Sequence, residues 1–250
     1  MNPEKRNAGN RKAENLQPDF SDEYVAQLFD RMGPTYDLVN RVSSFGFCEW
    51  WRYQCVRHAA IGEGAVVCDM MSGSGECWPY ILSRKPASVE SVDFSRVMIR
   101  RQEQRLAGRA QPVTVRCENA LHTSLAGASV DCIVGAFGLK TLSPDNLKGF
   151  AGEVHRLLKP GGRFSLLEIS DPQGWLLAPV YRWYVSRLIP LIGKALLGDI
   201  ECYRMLGVYT EAFGSCERVR AVFAAAGLRV EVRRHFFGCA TALVGTKPAA

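Results

Sequence analysis

The sequence predicts an α/β fold, a doubly wound parallel sheet ending in an antiparallel hairpin, with helices ahead of it and a helical cap inserted near its end. Three observations predict it. Between residues 65 and 169, apolar runs of strand length alternate with segments of helical period, the order that right-handed crossovers need to cover both faces of a sheet. Residues 131–137 are almost continuously apolar, as a strand covered on both faces should be. Residues 228–236 and 240–245 read as two strands joined by a short connection containing Gly238, which pairs them antiparallel.

In chain order, residues 22–60 form a helical lead-in carrying Phe29, Tyr36, Leu38, Val39, Trp50 and Trp51, broken near Gly33 and Pro34. The first strand is 65–69, and a helix starts at Glu76 and runs to 83. A second strand at 88–93 leads into a basic amphipathic helix at 95–106, and 112–116 is a short third strand. After the strand at 131–137, a helix at 144–158 is closed by Lys159-Pro160-Gly161-Gly162, and a strand follows at 163–169. The last helix, 215–226, precedes the hairpin. The insertion at 175–197 reads WLLAPVYRWYVSRLIPLIGKALL, and Pro179 and Pro190 limit its helical continuity. Its aromatic side chains, aliphatic anchors and scattered cations suit a membrane interface or the mouth of an apolar site. A cap packed on the domain has the same composition, and a cap over a lipophilic substrate satisfies both.

A chain of 250 residues can bury one substantial core. Residues 1–20 are expected to be a flexible tail and 21–250 a single domain, with 175–213 as the cap. The tail is charged and lacks the apolar core of a signal peptide, and no run reaches the roughly 18 apolar residues of a membrane span. The expectation is a cytoplasmic protein, soluble or peripheral at the inner face of a membrane. A net charge of +6 permits attraction to anionic lipid, but without a dense Lys/Arg block no nucleic-acid partner is expected. Nine cysteines occur with no CxxC spacing, which suits free thiols in a reducing compartment. Cys68 and Cys132, each inside an apolar strand, read as small buried side chains.

The chemistry concentrates after the first strand. Asp69 ends it, Ser72-Gly73-Ser74-Gly75 makes a tight turn, and Glu76 follows. Eighteen residues past Gly75, the second strand ends in Asp93. Glycines let a backbone approach a ligand that a Cβ would hold off, and an acid at the tip of the second strand can bond a ribose diol. A dinucleotide fingerprint requires a third glycine where this chain has Trp78. Two glycines, no P-loop lysine and an acid at Glu76 fit an adenosyl ligand without phosphates, S-adenosylmethionine (SAM). An ordinary glycine turn between strand and helix would carry the same residues.

At this point the chain resembles a family across almost its whole length, from about Tyr24 to Lys247. It is similar to the UbiE-type C-methyltransferases of ubiquinone and menaquinone synthesis, which have the class I methyltransferase fold. Tyr36-Asp37-Leu38-Val39-Asn40 with Ser44-Phe45-Gly46 and Trp51 matches that family's N-terminal signature. The loop from Asp69 to Glu76 matches its SAM loop, and Phe137-Gly138-Leu139-Lys140-Thr141 its FGLRN motif. Leu157-Leu158-Lys159-Pro160-Gly161-Gly162 and Gly198-Asp199-Ile200-Glu201-Cys202-Tyr203-Arg204 match its late part. The resemblance implies a cofactor site at Asp69, Gly73, Ser74, Gly75, Asp93, Asn119 and Ala120. Asp69 would fix the loop through main-chain bonds and Asn119 would meet the adenine edge, or else cap its own loop. On the substrate side it implies Tyr36, Asp37, Asn40, Lys140, Tyr203 and Arg204, with Arg204 stabilising a phenolate. Tyr36 and Tyr203 could equally be core aromatics, and Asp37 with Arg204 an ion pair. The implied partners are ubiquinone or a related prenyl quinone, a membrane surface and other quinone-biosynthesis enzymes. A non-catalytic scaffold for such enzymes is the competing class.

Departures from the family pattern fall at six positions. Met71 replaces a small residue, Glu76 an Asp, Cys48 a His and Ala136 a Ser, and Lys140-Thr141 replaces Arg-Asn. The Met71–Trp78 loop is similar to that of a rhodoquinone-synthesising branch, RquA. That resemblance implies a different reaction, in which the SAM amino group replaces a ubiquinone methoxy group. It also implies a divalent metal, Mn2+, for which Glu76, Asp37 and Glu49 are candidates by residue type only, while His155 reads as an ordinary helix-face residue. On the departures, amino transfer is expected over C-methyl transfer.

Overall fold

The computed structural model describes residues 18–32, 41–189, 191 and 201–249. Among the described residues the lead-in holds α1 (Asp22–Met32) and α2 (Phe47–Ala59). There follow β1 (Val66–Met70), α3 (Trp78–Leu82), β2 (Ser88–Asp93), α4 (Arg96–Leu106), β3 (Val113–Cys117), β4 (Val130–Ala136), α5 (Pro144–Leu157) and β5 (Leu158–Ile169). The cap contains α6 (Ala178–Trp183), a wide turn at Tyr184–Leu188 and α7 (Glu201–Phe213). The chain closes with α8 (Cys216–Ala225), β6 (Arg229–His235) and β7 (Ala240–Thr246).

The strands form one sheet in the order β3-β2-β1-β4-β5-β7-β6. Strands β1 to β5 run parallel, whereas β7 is antiparallel to both β5 and β6. The expected α/β architecture is therefore present, hairpin included. One boundary differs: Lys159-Pro160-Gly161-Gly162 joins β5 instead of separating it from α5. The register to β4 jumps there, from Val130 opposite Leu158 to Cys132 opposite Arg163. Gly161 takes φ +80°, so the turn is absorbed as an irregularity in one continuous strand.

The apolar runs do what two-sided burial requires. Val67, Cys68, Ile133, Val134, Phe164 and Leu166 are all completely buried. One layer, around Phe150, Phe164 and Phe223, packs α5 and α8 on one face. Another, around Val56, Trp78 and Ile81, packs α2 and α3 on the other. Helix starts follow local chemistry: Ser95 and Ser143 cap α4 and α5 through their hydroxyls. Among the described residues, Cys68 and Cys132 are buried free thiols, as read from the sequence, and Cys117 is the exposed free thiol.

Strand order reverses at β1, whose neighbours are β2 and β4. The chain leaves β1 and β4 toward opposite sides there, and open α/β sheets bind ligands in the crevice outside the C-terminal ends of such strands. No described helix is long and apolar enough to cross a membrane.

Candidate active site

A cleft of about 870 Å³ opens at that switch point. Its walls are the ends of β1 and β2, the segment after β4, Asn119 and Ala120 after β3, and Val25 and Phe29 of α1. Two wall residues, Met71 (φ +53°) and Phe137 (φ +69°), hold left-handed backbone directly after β1 and β4. Bulky residues rarely adopt it, and such strain gathers at functional sites.

Three carboxylates face this cleft: Asp69, Glu76 and Asp93. Asp93 is tied to the loop. Its Oδ2 accepts the Gly73 N–H at 2.8 Å and its Oδ1 the Ser95 N–H at 2.9 Å. Burial raises its pKa to about 6, against the lowering effect of those two bonds. The Ser74 N–H donates to Glu76 Oε2 at 3.1 Å. Gln102 reaches over from α4 to bond Ser72 Oγ and the Gly73 carbonyl.

Asp69 behaves differently from the expectation. It was expected to fix the loop by main-chain bonds, yet neither of its carboxylate oxygens has a hydrogen-bond partner, and it is fully buried. Glu76 and Asp93 hold the loop instead. Burial pushes the Asp69 carboxyl well above the usual range, with Glu76 and Asp93 adding to the rise and Arg52 opposing it. A buried, unpartnered acid beside a cleft is costly unless a ligand completes it.

The glycines also do other work than expected. A Cβ on Gly73 would lie 2.8 Å from Glu76 Oε2, and one on Gly75 would lie 2.7 Å from the Trp78 ring. Gly75 and Ser74 do not line the cleft. Trp78 tucks beneath the turn, its indole N–H donating to Ser91 Oγ, while Arg105 donates to Ser74 Oγ at 3.1 Å. Asn119 lines the cleft, and its Oδ1 accepts the Leu121 N–H at 2.9 Å, so its loop-capping role is present.

A second cavity, about 720 Å³ and mostly apolar, lies beneath the cap. Trp51, Cys48, Tyr181, Tyr184, Val185 and Leu206 line it, and Phe137 belongs to both walls. The Tyr184 hydroxyl donates to the Ser43 carbonyl and the Tyr181 hydroxyl to the Cys239 carbonyl, which ties the cap to the domain. Lys140 lines the cavity, almost entirely buried, and its Nζ donates to Glu168 Oε1 and to the Phe137 carbonyl, each at 2.8 Å. Glu168 is fully buried, so neither charge can be removed alone without leaving the other uncompensated.

The remaining expected residues are not brought together here. Tyr36, Asp37 and Asn40 lie outside the described residues, as does the side chain of Tyr203. Arg204, half-buried on α7, lines neither cavity. The metal candidates fare no better. Glu49 accepts bonds from Arg52 at 2.7 Å and Tyr80 at 2.9 Å. Among the described residues no three His, Cys, Asp or Glu side chains stand as a ligand set, so the described residues offer no site for the expected Mn2+, and Asp37 lies outside them. His155 sits on α5 near Gly227, an ordinary helix-face position as expected.

Sequence reading missed Arg52, Gln102 and the partition role of Phe137. Arg52 is buried in the cleft wall with its guanidinium 5.2 Å from the centre of the Phe137 ring. Only its place directly after Trp51 hinted at it. Nothing in the sequence marked Gln102.

The ubiE/COQ5 methyltransferase family model matches residues 17–247. The chain belongs to that family. It is 33% identical over 231 residues to a demethylmenaquinone methyltransferase of Lactiplantibacillus plantarum, covering 90% of this chain and 96% of that protein. It is 32% identical over 235 residues to the ubiquinone/menaquinone biosynthesis C-methyltransferase UbiE of Geotalea uraniireducens, covering 90% and 97%. Among solved structures it is similar to a SAM-dependent methyltransferase from Aquifex aeolicus, with TM-score 0.55, 19% identity and coverage of 78% and 89%. The N-methyltransferase NodS of Bradyrhizobium japonicum gives TM-score 0.54 at 16% identity, covering 79% and 94%. These structures bear on the fold alone, which is the class I methyltransferase fold. As a member of this family the chain is a SAM-dependent methyltransferase-type enzyme of quinone-precursor chemistry, and the cleft fits that cofactor. SAM carries a sulfonium and an ammonium against one carboxylate, and the cleft presents the acids Asp69, Glu76 and Asp93 to that net positive charge, with Arg52 in its wall.

Proposed function

We propose that this protein uses SAM to modify the ring of a prenyl quinone or its precursor. SAM occupies the acid-lined cleft and the quinone ring enters from the apolar cavity beneath the cap. The observation that carries this reading is the shared wall: Phe137 borders both spaces, so a ring held in one meets a group presented by the other. Asp93 accepts from the ribose, Gly73 borders the methionine moiety, Asn119 and Ala120 flank the adenine, and the unpartnered Asp69 receives the cofactor's positive end. Tail and ring are supplied from lipid, which makes the enzyme peripheral.

Methyl transfer to a ring carbon is the reading that the relatives' activities support best. That carbon must act as the nucleophile, through a phenolate aligned with the sulfonium methyl. A second reading has one specific observation behind it. All six departures from the family pattern line one of the two cavities: Met71, Glu76, Ala136 and Thr141 the cleft, Cys48 and Lys140 the apolar cavity. Substitutions confined to the reacting space favour altered chemistry on a kept scaffold. In amino transfer the neutral SAM amine attacks the ring carbon bearing methoxy, and methanol leaves. The N-alkyl aminoquinone then tautomerises to a hydroquinone imine, the ring taking up the two electrons lost at the methionyl carbon, and water hydrolyses that imine to the ring amine and a 2-oxo acid.

The deciding experiment incubates purified protein with SAM and either a demethylated quinone precursor or ubiquinone, and measures product mass. A gain of one methyl on the precursor with no aminated ubiquinone supports the first reading. Nitrogen from labelled SAM on the ring supports the second, and no change in either quinone leaves the scaffold alternative.

A further inference from the structure

The turn between β6 and β7 places two phenylalanines where hairpins usually place asparagine or glycine. Phe236 and Phe237 hold left-handed backbone, with φ +44° and +57°, a conformation that bulky residues adopt only under constraint. Both rings are nonetheless exposed, Phe237 by 67%. A strained turn that presents two rings to solvent calls for a role outside the core.

These rings are not isolated. Trp175 stacks on Phe237 with centroids 5.3 Å apart and planes within 4°, and Phe47 packs on Phe236 at 4.9 Å. Leu176, exposed by 90%, and Leu177 follow Trp175, while exposed Trp50 sits against His235. The surface thus joins three parts of the chain that are distant in sequence. Contiguous apolar patches of this kind mark an interaction site.

Charge and position identify the occupant. The segments that carry these side chains, residues 41–58, 171–189 and 229–246, hold eight arginines against three carboxylates, five of the chain's net six positive charges. Arg41, Arg187, Arg233 and Arg234 among them are exposed. Exposed aromatic and aliphatic side chains, carried by segments with a surplus of arginine, suit the headgroup boundary of an anionic bilayer. The patch also continues into the apolar cavity, because Phe47 packs on Trp51 and Phe45 stacks on Tyr184, and both partners line that cavity.

We infer that the Phe236–Phe237 turn, with Trp175, Leu176, Phe47 and Trp50, is the surface on which this protein docks to an anionic lipid membrane, beside the entrance of its apolar cavity. The inference deepens the reading above and rests on it for the source of the tailed quinone. Docking puts the cavity next to the lipid from which that quinone comes.

The test is sedimentation of the full-length protein with phosphatidylcholine vesicles, with and without phosphatidylglycerol, in the absence of quinone and SAM. The wild type is expected to partition to the anionic vesicles and to be released by salt, with a blue shift of its tryptophan emission. Phe236→Ser/Phe237→Ser is expected to lower partitioning by about tenfold or more, on the apolar area it withdraws. Phe237→Gly removes one ring and relieves the left-handed backbone. It is expected to melt no lower than the wild type while still losing vesicle binding, which separates lost docking from misfolding. Unchanged partitioning in both variants overturns the inference. So does a wild type that stays in the supernatant at low salt, or self-association that the double variant abolishes without any vesicle binding. Turnover of a short-tailed quinone in vesicle-free solution is measured alongside. Turnover without vesicle binding rejects this surface and keeps the proposed function, and vesicle binding without turnover does the reverse.

Discussion

The two cavities that meet at Phe137 are built from different materials. The cofactor cleft gathers around strand ends, a turn held by Glu76 and Asp93, and two left-handed residues. The cavity beneath the cap is made by side chains from α2, the β4–α5 connection, β5 and the cap itself. Its strongest polar feature, Lys140 with Glu168, is satisfied within the protein, whereas the cleft leaves Asp69 without a partner. One site is therefore completed by its ligand and the other is complete without one. That difference sets what each substitution should do.

The largest effect is expected in the apolar cavity. Lys140→Met strands the buried Glu168 carboxylate and should cost about 3–5 kcal/mol of stability, measured by urea unfolding. Adding Glu168→Leu should recover most of the loss. A single variant as stable as the wild type would mean that the pair does not support the cavity floor. In the cleft, Asp93→Ala should weaken SAM and S-adenosylhomocysteine binding by about 2–3 kcal/mol, as expected for a charged hydrogen-bond acceptor. Calorimetry checks this, and unchanged affinity would remove the ribose assignment.

The pH dependence sharpens the comparison, because burial raises two carboxyls of the cleft, Asp69 and Asp93. Asp93 must be ionised to accept fully from a ribose. SAM affinity should therefore fall as pH drops through about 6, approaching about tenfold per unit, or about 1.4 kcal/mol. Stability without ligand should respond with the opposite sign. A carboxyl whose folded pKa is raised contributes stability that is present below its unfolded pKa and lost as pH rises through about 6. A calorimetric series from pH 5 to 8, with and without SAM, reads both trends, and parallel trends would contradict the assignment. The smallest effect is expected at Gly75→Ala, where φ is +84° and the new Cβ meets the Trp78 ring. About 1 kcal/mol of thermal stability should be lost, and a Trp78→Leu background should soften the loss.

Much of the fold was legible in the chain. Strand β2 falls on residues 88–93 as read, β1 and β4 within one residue of theirs, and the closing hairpin is in place. Apolar runs and glycine punctuation are local signals, and a parallel sheet buried on both faces leaves them intact. Of the residues expected to bind the cofactor, Asp69, Gly73, Asp93, Asn119 and Ala120 line the cleft, because strand ends and the turns after them carry them. The roles inside the loop were less legible. Gly75 was read as making room for a ligand, yet it makes room for Trp78, three residues later, whose indole folds back under the turn. Asp69 was read as a loop anchor, but that work went to acids whose geometry depends on how β2 and α3 pack.

By itself the sequence determined the order of elements, the position of the switch point and the acid content of the cleft, all of which follow from patterns within a few residues. Only the tertiary structure decided that Arg52 of α2 and Gln102 of α4 complete the cleft, that Phe137 divides it from a second cavity, and that Lys140 is matched by Glu168. Those partners lie from 28 residues apart, for Lys140 and Glu168, to the full span between α2 and the β4–α5 connection. The physical reason is that pairing at such separations is set by the twist and order of the sheet and by which helix covers which face, and no local pattern in the chain records either.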